Sequence, residues 1–354
     1  MSKVRVAVVG CGSVSQKYVP DLKQSSAVEL VAVCDNRVEF ARRHAETYAI
    51  ERYFSDIDRM LAEVDFELLV NLTPMQFHAP FNRKGLEAGR NVWCEKPIAT
   101  NLADAHALIE LARSRGVKLW GAPNSPTSPA FETMAKILAC GEIGRACVAH
   151  GIYGWSGPDW PGAAWFYQKG GGSLFDLGVY NVTTLTGLLG PARSVIAMAG
   201  AAVPERVIAG ETVKVEADDN TALILDHGGA VYSVIQTGFV YGAQREDWTI
   251  QVIGTNGAMT MGGYDWAPAD VAVYAGHQMR SEDRKWEVRW QDDGSYKWEH
   301  GAAYIAECLA NGEQPILSGE HALHVLEVML AALESAKSGR REPVESDFPW
   351  PLIH

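Results

Sequence analysis

Lys96, Asp176 and Tyr180 are the three side chains of this 354-residue chain whose types, taken together, could remove a proton from a hydroxyl group. Asp176 and Tyr180 follow Gly170-Gly171-Gly172 and stand four residues apart, so a helix at this point presents a carboxylate and a phenol on one face. Lys96 closes an apolar run in Trp93-Cys94-Glu95-Lys96-Pro97. A phenol has an ordinary pKa of about 10 and is a poor base near neutral pH unless a cation lowers it. A lysine is one such cation.

The elements that must position these groups begin with a dinucleotide pattern. Val4 to Val9 is a β-branched run that leads into Gly10-Cys11-Gly12-Ser13-Val14-Ser15. Glycines let the backbone approach a pyrophosphate while the following helix turns its first amides toward the charge. Ser15 stands where the usual fingerprint has a third glycine. Glu29 to Cys34 reads as the second strand, and Asp35 lies 20 residues beyond Ser15, where a carboxylate accepts hydrogen bonds from the adenosine ribose. Asp35 favours NAD over NADP, and Asn36 and Arg37 beside it keep NADP open through the guanidinium.

Phe66 to Leu72 is the next buried strand, ending in Thr73-Pro74, and His78 opens a helix after it. In a doubly wound sheet the carboxyl ends of strands face the ligand crevice. Asn71, Thr73, Pro74 and His78 are therefore expected at the cofactor, and the strand from Asn91 to Cys94 delivers Glu95 and Lys96 to the same edge. The helix from Leu102 to Arg115 and the strand from Lys118 to Gly121 complete a six-strand pattern.

The ordered series of glycine turn, Asp35, Asn71-Leu72-Thr73-Pro74 and Glu95-Lys96-Pro97 resembles the glucose-fructose oxidoreductase, inositol dehydrogenase and MocA family over essentially the whole chain. The resemblance implies a Rossmann domain at 1–122 and a substrate-binding and oligomerisation domain at 123–354. It also implies a homodimer or homotetramer, commonly formed through the open face of the second domain's sheet. The glycine-rich segment at 170–181 matches the family's series of aspartate, glycine and usually histidine, with Tyr180 in the histidine's place.

On that basis Tyr180 is expected to exchange the substrate proton while hydride passes to or from nicotinamide. Lys96 would tune and orient the phenol, and Asp176 would hold a substrate hydroxyl or Lys96. The competing assignment makes Lys96 the proton carrier and Tyr180 a positioning group.

Beyond Pro123, short alternating runs dominate at 193–198, 212–216, 221–226, 230–237 and 248–253, after a helix from Ala130 to Cys140 and a strand from Ala146 to Tyr153. Asp226-His227-Gly228-Gly229 and Thr255-Asn256-Gly257 are hairpin signals. The expected fold is thus α/β, a Rossmann doubly wound parallel sheet followed by an α+β domain with a large, mostly antiparallel sheet. The helices near Ala302–Ala310 and Glu320–Ala336 should cover that sheet or return to the first domain.

Trp155 to Tyr167 is a Pro/Gly-rich loop whose aromatic density far exceeds the chain average of 9%. Aromatic faces pack on the CH faces of sugars, so Tyr153, Trp155, Trp160 and Trp165 join Lys96, Asp176 and Tyr180 as expected substrate contacts. Arg245, Arg280 and Arg284 are candidates for an acidic sugar.

A formal net charge of −12 argues against nucleic acid or an anionic membrane surface as partner. No apolar run approaches the roughly 20 residues needed to span a bilayer, and the strand-like run from Lys3 leaves no room for an export signal, so a cytoplasmic protein is expected. Six scattered cysteines show no zinc spacing; buried reduced thiols and no metal are expected.

The leading expectation is an NAD(P)-dependent oxidoreductase acting on a secondary alcohol or ketone of a sugar, sugar derivative or polyol. An alternative within the family is an NAD-dependent glycoside hydrolase that oxidises its substrate transiently, eliminates the aglycone and restores the hydride. A third is a non-catalytic NAD(P)-binding regulator, against which the intact Lys96, Asp176 and Tyr180 count.

Overall fold

The computed structural model describes residues 3–242, 247–276 and 285–353. They divide into two compact units, Met1–Asn124 with Lys297–Leu326, and Ser125–Tyr296 with Glu327–His354.

The first unit alternates strands and helices: β1 (Val4–Val9), α1 (Ser15–Gln24), β2 (Val28–Cys34), α2 (Val38–Tyr48), β3 (Arg52–Phe54), α3 (Ile57–Glu63), β4 (Leu68–Asn71), α4 (His78–Glu87), β5 (Asn91–Cys94), α5 (Leu102–Arg115) and β6 (Leu119–Gly121). The six strands form one parallel sheet in the order β3-β2-β1-β4-β5-β6. Continuous Val/Leu runs such as Val4–Val9 suit this sheet, because helices on both faces leave almost no strand residue in water. The strand order reverses between β1 and β4, so the crevice at their carboxyl ends is the expected ligand position. β3 is only three residues long and has no periodicity for a sequence reading to find.

The second unit begins with α6 (Pro129–Ala139), whose first turn is capped by Ser128 accepting from the Phe131 amide at 3.1 Å. Then come β7 (Ala146–Gly154), one turn of π-helix (Leu174–Gly178), α7 (Val179–Leu189) and β8 (Ser194–Gly200). β9 (Glu205–Ile208) and β10 (Glu211–Lys214) form a separate hairpin. β11 (Asn220–Gly228), β12 (Val231–Gly238), β13 (Trp248–Gly254), β14 (Gly257–Tyr264), β15 (Ala267–Ala275) and β16 (Glu287–Gln291) follow.

After β16 the chain returns to the first unit as α8 (Gly301–Asn311). α9 (Gly319–Ser338) starts in that unit and ends in the second, and β17 (Glu342–Pro343) closes the chain's last pairing. The continuous second domain expected at 123–354 is thus interrupted at 297–326. Physically, α8 turns Ala302, Ala303, Ile305 and Ala306 into the core formed by Val4, Val6, Val8 and Trp93.

The large sheet has nine strands in the order β16-β15-β14-β13-β7-β12-β11-β8-β17. Every neighbour pair is antiparallel except β7 with β12. Ala149, Leu223, Ile235, Val252 and Met259 are buried on one face, and α7 packs there against β7, β12 and β13. Gly151 permits that approach, since a Cβ on it would come within 3.0 Å of Asn181 on α7. No helix among the described residues is long and apolar enough to cross a membrane.

Candidate active site

The turn after β1 fits a dinucleotide. Gly10 has φ +97°, and a Cβ there would lie 2.6 Å from the carbonyl carbon of Leu72, so only glycine lets the turn rest on the backbone that follows β4. A Cβ on Gly12 would stand in open space, and Ser13 and Val14 are exposed at the start of α1. Ser15 is buried, its hydroxyl 2.6 Å from the Gly12 carbonyl oxygen and 2.7 Å from His44 Nε2. The serine in place of the third glycine therefore has a polar role that glycine could not fill.

Asp35 closes the turn from β2. Its carboxylate accepts from the amides of Cys11 and Arg37, both at 2.9 Å. Arg37 lies over the Phe40 ring at 3.8 Å, with Nε 3.5 Å from Asp35, and Asn36 is exposed beside it. Burial, with Asp35 next, pushes the Cys11 thiol up to about 12, so it stays an unreactive thiol at neutral pH.

Asn71 and His78 prove to be the frame of the loops rather than their surface. Asn71 is fully buried; its Nδ2 donates to the His78 carbonyl at 3.2 Å and to Asn82 Oδ1 at 2.9 Å. Its Oδ1 accepts from the Thr73 amide and, at 2.7 Å, from the Thr73 hydroxyl. His78 is 1% exposed, with Nδ1 2.6 Å from the Pro97 carbonyl oxygen and Nε2 2.7 Å from that of Thr73. Burial holds its pKa below the usual histidine range, although both carbonyls and Glu95 pull the other way. Asn82 donates to the Ile98 carbonyl at 3.0 Å. This web ties the loop after β4 to the Lys96-Pro97-Ile98 segment after β5, leaving Thr73 half-buried and Pro74 exposed. Glu95 receives the Tyr18 hydroxyl at 2.6 Å and the Lys96 amide at 3.1 Å, and Lys96 itself is half-buried.

In the second unit Asp176 lies in the π-turn and Tyr180 in the first turn of α7. π-turns inside helices recur at functional sites. This one is fixed from below by buried Asp218, which accepts from the Ser173 hydroxyl at 2.8 Å, the Leu174 amide at 2.9 Å and the Thr221 hydroxyl at 2.9 Å. Tyr180 packs against Tyr153 of β7, and Asp176 is near enough to act on it electrostatically. Burial first, then Tyr180 and Asp176, raise the Tyr153 pKa above its ordinary value. The Tyr153 and Tyr180 rings meet edge to face at 6.3 Å. Tyr153 keeps its proton and accepts from Trp266 Nε1 at 2.7 Å, while Tyr264 stacks on Trp266 at 5.6 Å.

The aromatic loop both covers its own core and presents a face. Tyr167 is buried with Phe239, and its hydroxyl donates to the Pro158 carbonyl at 2.7 Å. Trp155 and Trp160 stack at 6.1 Å, with Trp160 48% exposed, and Trp165 stacks on Phe166. Arg206 braces the loop from the β9–β10 hairpin, donating to the Ser156 and Phe239 carbonyls and pairing with buried Asp219 at 3.3 Å. Arg245, Arg280 and Arg284 lie outside the described residues.

Tyr264, Asp265, Trp266, Asn181, Asp218 and Arg206 escaped the sequence reading. Only the first three left a signal, an aromatic-acid-aromatic triplet after Gly262-Gly263. No group of three or more His, Cys, Asp or Glu among the described residues could hold a metal ion.

The family model described as "Oxidoreductase family, NAD-binding Rossmann fold" matches residues 4–122, and the GFO/IDH/MocA C-terminal domain matches 131–260. An uncharacterised oxidoreductase of Rhizobium meliloti is 29% identical over 210 residues, 59% of this chain and 60% of that protein. The trans-1,2-dihydrobenzene-1,2-diol dehydrogenase of Mus musculus is 28% identical over 273 residues, 76% of this chain and 78% of the relative. Among solved structures, levoglucosan dehydrogenase in complex with NADH and levoglucosan has a TM-score of 0.85 at 19% identity, covering 98% of this chain and 100% of that one. The chain belongs to the Gfo/Idh/MocA oxidoreductases, with an NAD-binding Rossmann domain followed by that family's C-terminal domain.

Proposed function

We propose that the chain interconverts a secondary alcohol and a ketone on a cyclic polyol, sugar or sugar derivative, with NAD as its hydride partner. The observation that carries this reading is the gathering of Asp176 and Tyr180 around Tyr153, backed by the Trp266 indole. When bound, nicotinamide supplies or accepts the hydride.

In this reading the chain's own groups manage everything else. Tyr180 takes the hydroxyl proton in the oxidising direction and returns it in the reducing one. A phenolate near neutral pH needs a cation, the part that the sequence reading gives to Lys96. Asp176 accepts a hydrogen bond from a neighbouring hydroxyl, and Tyr153, held protonated by burial, donates one. Two polar groups beside one reacting carbon suit a ring bearing adjacent hydroxyls, such as the dihydrodiol after which the mouse relative is named. Tyr264, Trp266 and Trp160 offer aromatic faces for the CH side of such a ring. Asp35 supports NAD over NADP, since its carboxylate would repel a 2′-phosphate and Arg37 is already engaged with Asp35 and Phe40.

The outer face of the nine-stranded sheet supports pairing with a second copy. The strand register puts Ile196, Met198, Ile224, Tyr232 and Val288 on the face opposite α7, and Met198 is 81% exposed. Met198→Glu with Ile224→Glu should then halve the particle mass in solution.

The deciding experiment is Tyr180→Phe assayed against a sugar, polyol and glycoside panel. Turnover should fall by about 10²-fold or more, the usual scale for general acid–base loss, with NADH binding retained. Wild-type-like turnover would refute the assignment, and aglycone release without net NADH would replace it with redox-neutral glycoside cleavage.

A further inference from the structure

Asp265 is the first residue of the two-residue turn between β14 and β15. Hairpin tips ordinarily meet water, and an aspartate there is usually solvated. Asp265 is instead 0% exposed. Its Oδ2 accepts from Asn181 Nδ2 at 3.0 Å and from the Thr184 hydroxyl at 3.2 Å, both on α7. The Asn181 amide nitrogen also donates to Thr249 Oγ1 on β13 at 3.2 Å, and Thr184 Oγ1 lies 3.1 Å from Ser125 Oγ.

Two oxygens in this cluster, Asp265 Oδ1 and Asn181 Oδ1, have no hydrogen-bond partner among the described residues. They belong to the two groups already joined at 3.0 Å. Two unpaired acceptors at buried positions are costly. A proton on Asp265 Oδ1 would make that oxygen a donor, and an acid facing a carboxamide can pair N–H with O on one side and O–H with O on the other. No lysine or arginine is among the groups acting on Asp265. The titratable groups on the elements around it are Cys147, His150 and Tyr153 on β7, Tyr180 on α7, Tyr264 on β14, and Asp270 and Tyr274 on β15; Tyr153 is one on which Asp265 acts electrostatically.

We propose that Asp265 is a neutral carboxylic acid, doubly hydrogen-bonded to the Asn181 carboxamide, and that this pair is the positioning element that holds Trp266 and Tyr180 in register. The positioning role rests on the reading of Tyr180 given above; the protonation state does not. One end of the pair is covalently next to Trp266, whose indole meets the Tyr153 hydroxyl, and the other is next to Tyr180. Keeping the acid neutral also spares the site a second carboxylate beside Asp176. Burial pushes the Asp265 pKa up to about 7, against the pull of Asn181 and Thr184.

Asp265→Asn tests this, since an amide can form the same two hydrogen bonds without titrating. The infrared spectrum of the whole chain near pH 6 should contain a protonated-carboxyl band that disappears in Asp265→Asn. In thermal unfolding, wild type should lose stability relative to Asp265→Asn as pH rises from about 4, where the unfolded aspartate gives up its proton, to about 7. The gap should stay constant above that. Asp265→Ala should lower kcat about 10-fold or more with NADH affinity unchanged, and Asp265→Asn should restore it to within about 3-fold. Absence of the infrared band, or a stability gap between wild type and Asp265→Asn that does not change between about pH 4 and 7, would overturn the neutral acid. Unchanged kcat in Asp265→Ala would overturn the positioning role. The spectroscopic and unfolding readouts need no substrate, so a failure of the Tyr180 assignment is told apart from a failure here.

Discussion

Around Lys96 the frame is made of backbone carbonyls, two asparagine amides and the His78 imidazole within one stretch of chain, from Asn71 to Ile98. Around Tyr180 it is made of side chains from distant segments, with Tyr153, Asp218, Thr249 and Trp266 meeting α7 and its π-turn. The first frame is local: a few buried side chains, Asn71, His78 and Asn82, pin the backbone of two neighbouring loops. The second depends on side-chain identity at each contact. It is the half in which a change of substrate can be made.

That contrast can be broken or sharpened by substitution. The largest effect is expected from Gly10→Ala, which forces a Cβ into the backbone after β4 at a positive φ. It should cost about 3 kcal/mol or more and abolish NADH binding measured by fluorescence titration. Asn71→Leu should follow, at roughly 3 kcal/mol in chemical unfolding, because it strands several buried partners at once; if the web positions Lys96, kcat should fall with it. Tyr153→Phe should cost about 1–2 kcal/mol by leaving the Trp266 N–H without its acceptor. Its mark in kinetics should be a raised KM with little change in NADH affinity, whereas an equal loss of NADH affinity would blur the division between the halves.

The smallest effect concerns pH. His300 lies 2.8 Å from Asp21 and 3.5 Å from Glu307, and the hydrogen bond to Asp21 is the first cause of its raised pKa. A histidine raised in the folded state stabilises fully below its unfolded pKa of about 6.5 and loses that contribution as pH rises through the folded value. Wild type should therefore lose slightly more stability than His300→Gln as pH rises above about 6.5. The imidazole's partial exposure keeps the difference small.

The sequence disclosed each half to a different depth. The glycine turn, Asp35 and Glu95-Lys96-Pro97 were legible because a dinucleotide crevice is assembled at strand ends by a local βαβ pattern. Asp176 and Tyr180 were legible as a helical pair, but the π-turn was not, since it is imposed by Asp218 some 40 residues on, by a contact with no spacing rule. His78 was expected at the cofactor from its place at a helix start, and its burial between two carbonyls carries no sequence signal. β14, β15 and β16 fell in a stretch without clear alternation, because Gly262, Gly263 and Pro268 interrupt it. The separate β9–β10 hairpin and the return of 297–326 to the first unit rest on packing between distant segments, which periodicity does not encode.

That return has a consequence for biosynthesis. The core that includes Val4, Val6 and Val8 is completed by Ala302, Ile305 and Leu317, residues that leave the ribosome only after every strand of the large sheet except β17 has been made. At about 5–20 residues per second, the nascent nucleotide-binding half waits roughly 10–40 s with part of its apolar surface unpartnered. A fragment ending near Asn124 would keep that surface permanently, so the order of the chain makes such N-terminal fragments the ones expected to aggregate.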